Sequence, residues 1–396
     1  MISFDPPEHI EQILRSLTEN GHAAFLVGGC VRDSIIGRPV HDWDVAGSAA
    51  PDDIKRIFQQ TILTGEKFGT VTVVLHDYAV EVTTFRTEGD YRDGRRPESV
   101  EFVASIDEDL SRRDFTINAM AVTLSGELID PFGGLEDIKK RVIRCVGEPD
   151  VRFAEDALRM FRALRFSAEL GFAIEPETLS SIYANADKAM LISVERIHVE
   201  LEKTLLSQRP CIVGEMIKAG LLKKYAPASG ECLDGLENLA AIPAETALRW
   251  CAFCAILIDK GFMETADGFL RDMRIDAKTI RNCSSALSIK EFPDDHVGIK
   301  RLLAKYGTDV VRCAAAARVA LRDSSALMNT HEVIAGGECF SLSALAVSGR
   351  DLISSGCPAG REIGETLAVL LDHVIENPKD NTRGALMKII EESTKM

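Results

Sequence analysis

The sequence has little that would place it in or beyond a membrane. No run approaches the roughly 18 consecutive apolar residues that a membrane-spanning helix needs, and the most apolar stretch, Trp250 to Ile258, has the length of a buried helix. The first residues, Met1 to Glu8, lack the basic segment and apolar core of a signal peptide. We therefore expect a cytoplasmic protein without a membrane partner.

Cysteine is present without a framework of regular spacings. Ten cysteines are scattered along the chain, which argues against a disulfide-stapled secreted protein and favours reduced thiols. Cys251 and Cys254 have the C-x-x-C spacing, but no second cysteine pair or histidine pair accompanies them. Because they fall in an apolar helical pattern, we interpret them as core residues rather than as a metal or redox site.

Positive charge is scarce overall but locally concentrated. The chain has 46 Lys and Arg against 61 Asp and Glu, a net charge of −15, which by itself argues against a nucleic-acid partner. Between Lys139 and Arg165, however, eight basic residues stand against four acidic ones. Attraction of a polyanion depends on the local field, so this segment is either an anion site or a solvated helix face.

The 396 residues predict more than one domain. Strand-like and helical patterns alternate as far as about residue 140, and helical patterns alone follow from about Val151. The fold class predicted from this order is an α/β head with a mixed sheet, followed by an all-α remainder. The individual elements predicted in the head are helices at 8–20, 31–36, 51–60 and 107–120, strands at 23–27, 41–46, 71–75, 80–85 and 100–102, and a strand with its turn at 128–134.

Two carboxylates in one predicted strand are the first candidates for chemistry. In Asp42-Trp43-Asp44 the side chains of residues i and i+2 would face the same side about 7 Å apart. Carboxylate oxygens so placed can bind a hard cation such as Mg²⁺. Glu81, an acid within a β-rich run, is either a further ligand or a solvent-facing residue.

A glycine turn precedes this pair of carboxylates. Gly28-Gly29 ends one predicted strand just before a helix, where backbone N–H groups and the helix N-terminus favour a phosphate. Arg32 lies one turn into the helix and could add a charge-assisted hydrogen bond. A phosphate-binding turn followed by a metal dyad is the combination that nucleotidyl transfer requires.

Four segments in a fixed order carry a family resemblance. They are Phe25 to Asp33 with Asp42 to Val45, Arg112 to Met120, Asp130 to Gly134 with Asp137-Ile138, and Glu155 to Arg159 with Arg162 to Phe166. In this order they resemble the motifs of class II tRNA nucleotidyltransferases, which are the CCA-adding enzymes and the bacterial poly(A) polymerases. Beyond about residue 200 the resemblance is limited to general helical character.

The resemblance implies a role for each matching position. Asp42 and Asp44 would hold catalytic Mg²⁺, with Glu81 beside them as a third catalytic carboxylate. The phosphates and ribose of the incoming CTP or ATP would be bound by four residues of the head: Gly28, Gly29, Arg32 and Arg113. The mechanism implied is two-metal nucleotidyl transfer to an RNA 3′-OH, in which positioning and charge neutralisation carry most of the catalysis.

The same resemblance assigns base recognition to Asp156 and Arg159, with Arg162 and Arg165 completing the pocket. These four residues recur at intervals of three, which would place them along one helix surface. Cytosine and adenine both present an amine donor beside a ring-nitrogen acceptor, so a carboxylate and a guanidinium can read either base, whereas guanine and uracil have the opposite polarity. The competing interpretation is ion pairing on a solvated helix.

The resemblance leaves several activities open: CCA addition, CC addition alone, A addition alone, and poly(A) synthesis. The loop from Arg86 to Pro97 has mixed charges, and family members restricted to CC addition look as if they have lost such a loop. The C-terminal part lacks the long basic extension expected of a poly(A) polymerase. We predict CCA addition from CTP and ATP, with A addition alone or poly(A) synthesis as the alternatives.

The resemblance also divides the chain and suggests its partner. It implies a catalytic head at 1–140, a base-reading neck at 141–200, a helical body at 201–300 and an RNA-binding tail at 301–396. The body and tail would bind the acceptor arm of tRNA, and no obligate protein partner is evident. A hypothesis of another class is a non-catalytic RNA-binding relative. Such a protein would be expected to lose a metal carboxylate, and here both are present.

Overall fold

The computed structural model describes residues 4–65, 69–88, 100–103, 105–225, 233–321, 325–358 and 360–393. The strands are β1 (Ala24–Val27), β2 (Val45–Gly47), β3 (Thr61–Gly65), β4 (Thr70–Leu75), β5 (Tyr78–Thr84), β6 (Arg86–Glu88), β7 (Val100–Phe102), β8 (Ala121–Val122), β9 (Leu128–Ile129), β10 (Val142–Ile143) and β11 (Ala173–Ile174). The helices up to residue 206 are α1 (Glu8–Glu19), α2 (Gly29–Ile36), α3 (Pro51–Ile57), α4 (Ile106–Ser111), α5 (Gly134–Lys140), α6 (Pro149–Glu155), α7 (Leu158–Leu170), α8 (Pro176–Asn185) and α9 (Val194–Leu206). The later helices are α10 (Val213–Lys218), α11 (Thr246–Asp259), α12 (Ala266–Asp272), α13 (Ala277–Leu287), α14 (His296–Tyr306), α15 (Thr308–Ala320), α16 (Ala326–Ala335), α17 (Gly349–Ser354), α18 (Arg361–Glu376) and α19 (Arg383–Ser393).

A seven-stranded sheet organises the head, in the order β3-β4-β5-β2-β1-β8-β9. β2 and β5 run parallel, and the other neighbouring strands run antiparallel. The sheet is therefore mixed, and the predicted fold class of an α/β head followed by an all-α remainder is confirmed, with the difference that the remainder is mostly rather than wholly helical.

The sheet and the adjoining turns share one apolar core. Phe85, Leu110 and Ala121 belong to a buried cluster that also includes Val27 at the end of β1. Helix α1 contributes a buried stripe of Ile10, Ile13, Leu14 and Leu17 at helical spacing. The C-terminal end of β1, from which the glycine turn departs, is thus anchored in the core.

The strand predicted at 41–46 is much shorter in the structure. β2 begins only at Val45, which lies opposite Leu26 of β1, so Asp42 and Asp44 precede the strand. The reason is that the partner strand β1 ends at Val27. After it the chain turns at Gly28, whose φ is +76°, into α2. The last ladder bond of this end is donated by the N–H of Val27 to the carbonyl of Asp44, at 3.0 Å.

The helix predicted at 107–120 is wrong over its second half. Helix α4 ends at Ser111, and a 3₁₀ turn at Thr116–Asn118 leads into β8. Tertiary partners take the backbone groups that a continuous helix would use, since the N–H of Thr116 donates to the carbonyl of Arg144 and the carbonyl of Met120 accepts from Gly28. The segment from Arg112 to Met120 becomes a compact turn beneath the glycine turn.

The charged loop predicted at 86–97 begins as a strand. Arg86–Glu88 forms β6, which pairs antiparallel with β7 through Arg86 opposite Phe102. Residues 89–97 of that loop lie outside the described residues.

The helical remainder contains one short ladder, in which β10 and β11 pair in parallel. The chain forms two compact units, residues 1–204 with 215–229 and residues 205–214 with 230–396. In the second unit α11 is buried along its length, and Cys251 and Cys254 are core residues with free thiols. Among the described residues, no helix has both the length and the apolar character that crossing a membrane would require.

Candidate active site

A cavity of about 420 Å³ opens in the first unit where four of its segments meet. Its walls come from the glycine turn, the end of Asp42-Trp43-Asp44, the turn after α4, and the start of α7. The lining residues are Gly28, Gly29, Arg32, Asp44, Arg112, Arg113, Asp114, Asn118, Asp156, Arg159, Arg162 and Phe166. The volume lies within the range of small-ligand sites, and most of the charged residues lining it are basic.

The first glycine of the turn, Gly28, leaves little room for a side chain at the cavity edge. A Cβ atom on Gly28 would lie 2.7 Å from Nη1 of Arg113 and 3.9 Å from Oδ2 of Asp44. Because the N–H of Gly28 donates to Met120, the N–H groups of the first helical turn begin at Gly29. An anion at this end of α2 would meet those N–H groups together with the positive end of the helix dipole.

Arg32 is held rigidly on α2. Its Nε and Nη2 atoms each donate to the carboxylate of Asp33 at 2.9 Å, and Nη1 donates to Oδ1 of Asn118 at 2.6 Å. Its guanidinium lies 5.0 Å from the centre of the Phe166 ring. These contacts fix a positive charge in the cavity wall.

The acidic residues Asp42, Asp44 and Glu81 are brought close together. The parallel register of β2 and β5 pairs Val45 with Val82, so the residues just before them, Asp44 and Glu81, are neighbours. Burial of Asp44 raises the pKa of its carboxyl group. The positive charge of Arg113 opposes this shift, and the negative charges of Glu81 and Asp42 add to it.

This crowding of negative charge fits a bound cation, and carboxylate oxygens are ligands suited to hard divalent ions. Within the described residues, no three side chains of His, Cys, Asp or Glu already converge on one point as a formed metal site. Binding would therefore draw the carboxylates of Asp42, Asp44 and Glu81 together from the neighbouring positions that they now occupy.

Arg113 is supported from below by a buried acid. Asp109 on α4 is fully buried and forms ion pairs with Nη2 of Arg112 at 2.8 Å and Nη2 of Arg113 at 3.2 Å. Burial alone would raise the pKa of Asp109, but the two arginine charges outweigh burial and lower it. Within the described chain, Nε of Arg113 is buried without a hydrogen-bond partner, a donor that a ligand could satisfy.

Asp114 joins the turn after α4 to α7. Its Oδ2 accepts from Nε of Arg162 at 2.7 Å, while Oδ1 accepts from the amide of Asn118 at 3.1 Å and from the N–H of Phe115 at 2.9 Å. Burial would raise the pKa of Asp114, but Arg162 and these hydrogen bonds lower it to about 2. Asn118 in turn holds Arg32, so one network connects the glycine turn with α7.

The predicted base-reading residues do not all lie on one helix. Asp156 follows α6, and its Oδ1 accepts from the N–H of Leu158 at 3.0 Å at the start of α7. Only Arg159, Arg162 and Arg165 lie on α7. The extended backbone of Asp156, with φ −144° and ψ 104°, breaks the helical pattern that the spacing had predicted.

Asp156 and Arg159 both face the cavity, but each is held by another residue. The carboxylate of Asp156 accepts two hydrogen bonds from Arg196 of α9. Nη1 of Arg159 pairs with Glu155 at 2.5 Å, and its Nη2 donates to the carbonyl of Arg112 at 2.9 Å. The two predicted readers are thus positioned separately rather than paired with each other.

Arg165 is the one predicted nucleotide-binding residue that does not line the cavity. It is buried behind the cavity, paired with Glu200 of α9 and Glu169 of α7, and its guanidinium lies 3.9 Å from the centre of the Phe166 ring. The neighbouring residue Phe166 lines the cavity instead. Arg165 therefore supports the wall from behind.

Several residues that line the cavity, or that hold its lining residues in place, were not singled out from the sequence. Arg112, Asp114 and Asn118 lie within the second motif quoted above, so their position beside Arg113 was the available signal. Arg196 and Glu200 are four residues apart on α9 and therefore share one face. No local pattern linked that face to Asp156, which lies forty residues earlier.

Comparison with known proteins agrees with this arrangement. Residues 24–144 match the model of the poly(A) polymerase head domain, residues 171–230 match the probable RNA- and SrmB-binding site of polymerase A, and residues 244–390 match the second domain of tRNA nucleotidyltransferases.

Whole proteins are similar as well. The CCA-adding enzyme of Geobacillus thermodenitrificans is 40% identical over 389 residues, which cover 94% of this chain and 93% of that protein. The CCA-adding enzyme of Limosilactobacillus fermentum is 39% identical over 402 residues, covering 98% and 97%. The crystal structure of the Bacillus stearothermophilus CCA-adding enzyme in complex with CTP superposes with a TM-score of 0.79 at 35% identity, covering 99% of this chain and all of that one. The resemblance read from the sequence is confirmed: the chain belongs to the family of CCA-adding tRNA nucleotidyltransferases.

Proposed function

We propose that this chain adds C, C and A in turn to the 3′ end of tRNA, using CTP and ATP and no nucleic-acid template. The observation that carries this proposal is the single cavity into which Gly28-Gly29, Asp44 and the pair Asp156 and Arg159 all open. A phosphate-binding turn, a carboxylate centre and a base-reading pair are the three parts that templateless nucleotidyl transfer needs.

The triphosphate would lie along the basic wall of the cavity. N–H groups at the start of α2 and the fixed charges of Arg32 and Arg113 are donors suited to phosphate oxygens. In the reaction, the RNA 3′-OH gives up its proton to water and its oxygen forms a bond to the α-phosphorus. The bond between the α-phosphorus and the oxygen that bridges to the β-phosphate breaks, and pyrophosphate leaves with the electron pair. These arginines would hold the triphosphate in line and neutralise charge on the leaving group.

The ligands of the metal would be Asp42 and Asp44, with Glu81 close enough to join or support them. We propose Mg²⁺ because the donors are carboxylates and the substrate is a triphosphate. When bound, Mg²⁺ supplies Lewis acidity that favours ionisation of the RNA 3′-OH and screens the phosphate charge.

Base selection would depend on Asp156 and Arg159, which face the cavity from the start of α7. The carboxylate can accept from the exocyclic amine of cytosine or adenine, and the guanidinium can donate to the adjoining ring nitrogen. Arg162 faces the same cavity, and Arg165 supports its wall. Guanine and uracil would leave this pair mismatched.

The remainder of the chain would handle the RNA. We propose a head at 1–140, a neck at 141–200, a body at 201–300 and a tail at 301–396, of which the last two bind the acceptor arm of tRNA without an obligate protein partner. We place the activity in the cytoplasm, where the nine described cysteines, all free thiols, would stay reduced.

Full CCA addition is favoured over A addition alone or poly(A) synthesis by the near-complete coverage of relatives that are named CCA-adding enzymes. The test is incubation of the full chain with tRNAs lacking CCA, CA or A, each with CTP, ATP or both, followed by sequencing of the 3′ ends. CCA addition predicts completion of all three substrates when both nucleotides are present. Extension only of the tRNA lacking A would indicate A addition alone, and long A tracts would indicate a poly(A) polymerase.

A further inference from the structure

A second cavity of about 540 Å³ adjoins the carboxylates. Asp44 lines both cavities, and Asp42 and Glu81 line the second. The remaining walls come from α1, the residues before β2 and the β4–β5 hairpin, and they include His9, Trp43 and Tyr78. Two separate spaces within the first unit therefore meet at Asp44.

The two spaces differ in charge. The first cavity has five arginines in its lining, whereas no lysine or arginine is found among the described residues that line the second. A triphosphate placed beside Asp42, Asp44 and Glu81 without basic side chains would be strongly repelled. The second cavity suits a ligand that brings a hydroxyl group and a ring, rather than a polyphosphate, to the carboxylates.

An aromatic platform stands in this second cavity. The rings of His9 and Tyr78 are stacked in parallel, with centroids 4.0 Å apart and planes inclined by 4°. Tyr78 is nevertheless 56% exposed, so one face is covered by His9 while much of the side chain reaches the open space. Trp43 is a further aromatic residue of the lining.

We propose that this cavity holds the 3′-terminal nucleoside of the RNA primer, with its base stacked on Tyr78 and its 3′-OH directed to the carboxylates beside Asp44. The inference rests on the proposed function, which places the triphosphate in the first cavity. In-line displacement requires the attacking hydroxyl to approach from the side opposite the leaving group, and a separate cavity that shares Asp44 with the first one offers a space for that approach.

Stacking also suits what the primer site must do. During CCA addition the terminal nucleotide of the primer changes at every step, so its binding site has to accept different bases. Stacking on an aromatic ring tolerates every base because each has a π face. The incoming nucleotide, by contrast, is read by Asp156 and Arg159, which discriminate through hydrogen bonds.

Three substitutions in the full-length chain test the platform: Tyr78→Phe, Tyr78→Leu and Tyr78→Ala. The KM for a tRNA lacking the final A, and separately the KM for ATP, are measured for each. Tyr78→Phe keeps the aromatic face and should retain the wild-type KM for tRNA. Tyr78→Leu keeps apolar bulk without that face, and both it and Tyr78→Ala should raise the KM for tRNA about tenfold, with less than about a twofold change in the KM for ATP.

A binding measurement complements the kinetics. A tRNA whose 3′-terminal nucleotide is 2-aminopurine is mixed with each protein in EDTA, so that no transfer occurs. The wild type and Tyr78→Phe should quench its fluorescence through stacking, and Tyr78→Leu should not quench it at saturating protein.

The proposal that the primer nucleoside stacks on Tyr78 would be overturned if Tyr78→Leu and Tyr78→Phe had equal KM values for tRNA. Fluorescence quenching that persists in Tyr78→Leu would overturn it as well. A wild-type chain that extends no tRNA would instead refute the proposed function, so the two failures are distinguishable.

Discussion

The guanidinium of Arg196 donates two hydrogen bonds to the carboxylate of Asp156, from Nη1 to Oδ1 at 3.1 Å and from Nη2 to Oδ2 at 2.6 Å. Asp156 also accepts the N–H of Leu158 at the start of α7. Three donors thus fix one carboxylate at the edge of the cavity. The orientation of Asp156 therefore depends on a residue of a different helix. Under the proposed function, the remaining acceptor positions of Asp156 would determine which base edge it can meet.

Replacing Arg196 should therefore weaken base selection without abolishing transfer. In Arg196→Ala, Asp156 is free to rotate away from the base, and we expect the preference for CTP and ATP over UTP and GTP to fall about tenfold, the scale of one charge-assisted hydrogen bond. The measurement is kcat/KM for each of the four nucleotides on tRNAs with truncated ends.

A matched control is Arg271→Ala, which removes an exposed ion pair with Asp267 on α12 and should leave all four values unchanged. Arg196→Lys keeps the positive charge but not the two-pronged geometry, so it should lose part of the selectivity. Unchanged selectivity in Arg196→Ala would mean that Asp156 is oriented by α7 alone.

The sequence predicted the parts of the site that are local in the chain. The glycine turn, Arg32 and Arg113 all lie in or next to the cavity, because short segments with a single backbone requirement determine them. Arg196 was missed because its relation to Asp156 is purely tertiary and spans forty residues. A spacing of three between charged residues cannot show that the helix starts only at Leu158.

The strand and helix boundaries near the site were harder to predict for a similar reason. Alternation favoured a strand through Asp42 and Asp44, but a strand exists only where a neighbour is present, and β1 stops at Val27. The helix predicted through residue 120 ends at Ser111 because backbone groups of Thr116 and Met120 bond to distant parts of the chain. Functional segments depart from regular structure where tertiary bonds replace local ones.

A substitution at Gly28 tests whether the short distance between the glycine turn and Arg113 matters for nucleotide binding. In Gly28→Ala the new Cβ would lie 2.7 Å from Nη1 of Arg113, so the guanidinium must shift from its present position in the cavity wall. We expect the KM for ATP and CTP to rise about tenfold as one charge-assisted contact is lost. Steady-state kinetics with saturating tRNA measure this.

The control is Gly37→Ala at the other end of α2. Gly37 has a φ of +72°, close to the +76° of Gly28, but a Cβ there would meet nothing within 4 Å. Gly37 is in the left-handed helical region, with ψ 29°, where alanine costs about 1–2 kcal/mol. Gly28 has ψ −128°, in a region that side chains other than glycine rarely adopt, so Gly28→Ala carries the greater backbone strain. Gly37→Ala controls for an added methyl group and moderate strain at α2, and only Gly28→Ala should change the KM for nucleotide. Equal effects of the two on KM would attribute the result to strain in α2 rather than to Arg113.

Asp114 should make the stability of the first unit sensitive to acid. Its pKa is lowered from 3.8 to about 2 in the folded protein, so the folded state prefers the charged form. This stabilisation is present in full above about pH 4 and is lost as the pH falls through about 2. At neutral pH it amounts to about 2 kcal/mol.

Urea unfolding of the wild type and of Asp114→Asn across this pH range measures the contribution. The free energy of unfolding of the variant should be lower near neutral pH, and the difference should shrink as the pH approaches 2. Asp267→Asn, which alters an exposed pair on α12, provides the control and should show almost no difference. A constant gap between wild type and Asp114→Asn at all pH values would show that the carboxylate charge is not what stabilises this network.

The substitution Asp42→Ala distinguishes an enzyme from a non-catalytic RNA-binding protein. Asp42 and Asp44 precede β2, and both lie close to Glu81, so removal of one carboxylate should weaken the metal site while leaving the RNA-binding surfaces intact. In Asp42→Ala we expect kcat to fall by at least about a hundredfold, the scale seen when one preorganised charge is lost from a transition state, with tRNA affinity retained.

Nucleotide addition to a tRNA lacking A and filter binding of the same tRNA give the two measurements. The matched control is Asp52→Ala, since Asp52 is an acid of the same head that pairs with Lys55 on the first turn of α3, and this variant should keep full activity. EDTA should abolish addition by the wild type, and added Mg²⁺ should restore it. If Asp42→Ala still extended tRNA at the wild-type rate, the carboxylates before β2 would not be the metal ligands, and the chemistry would have to be assigned to other residues of the cavity.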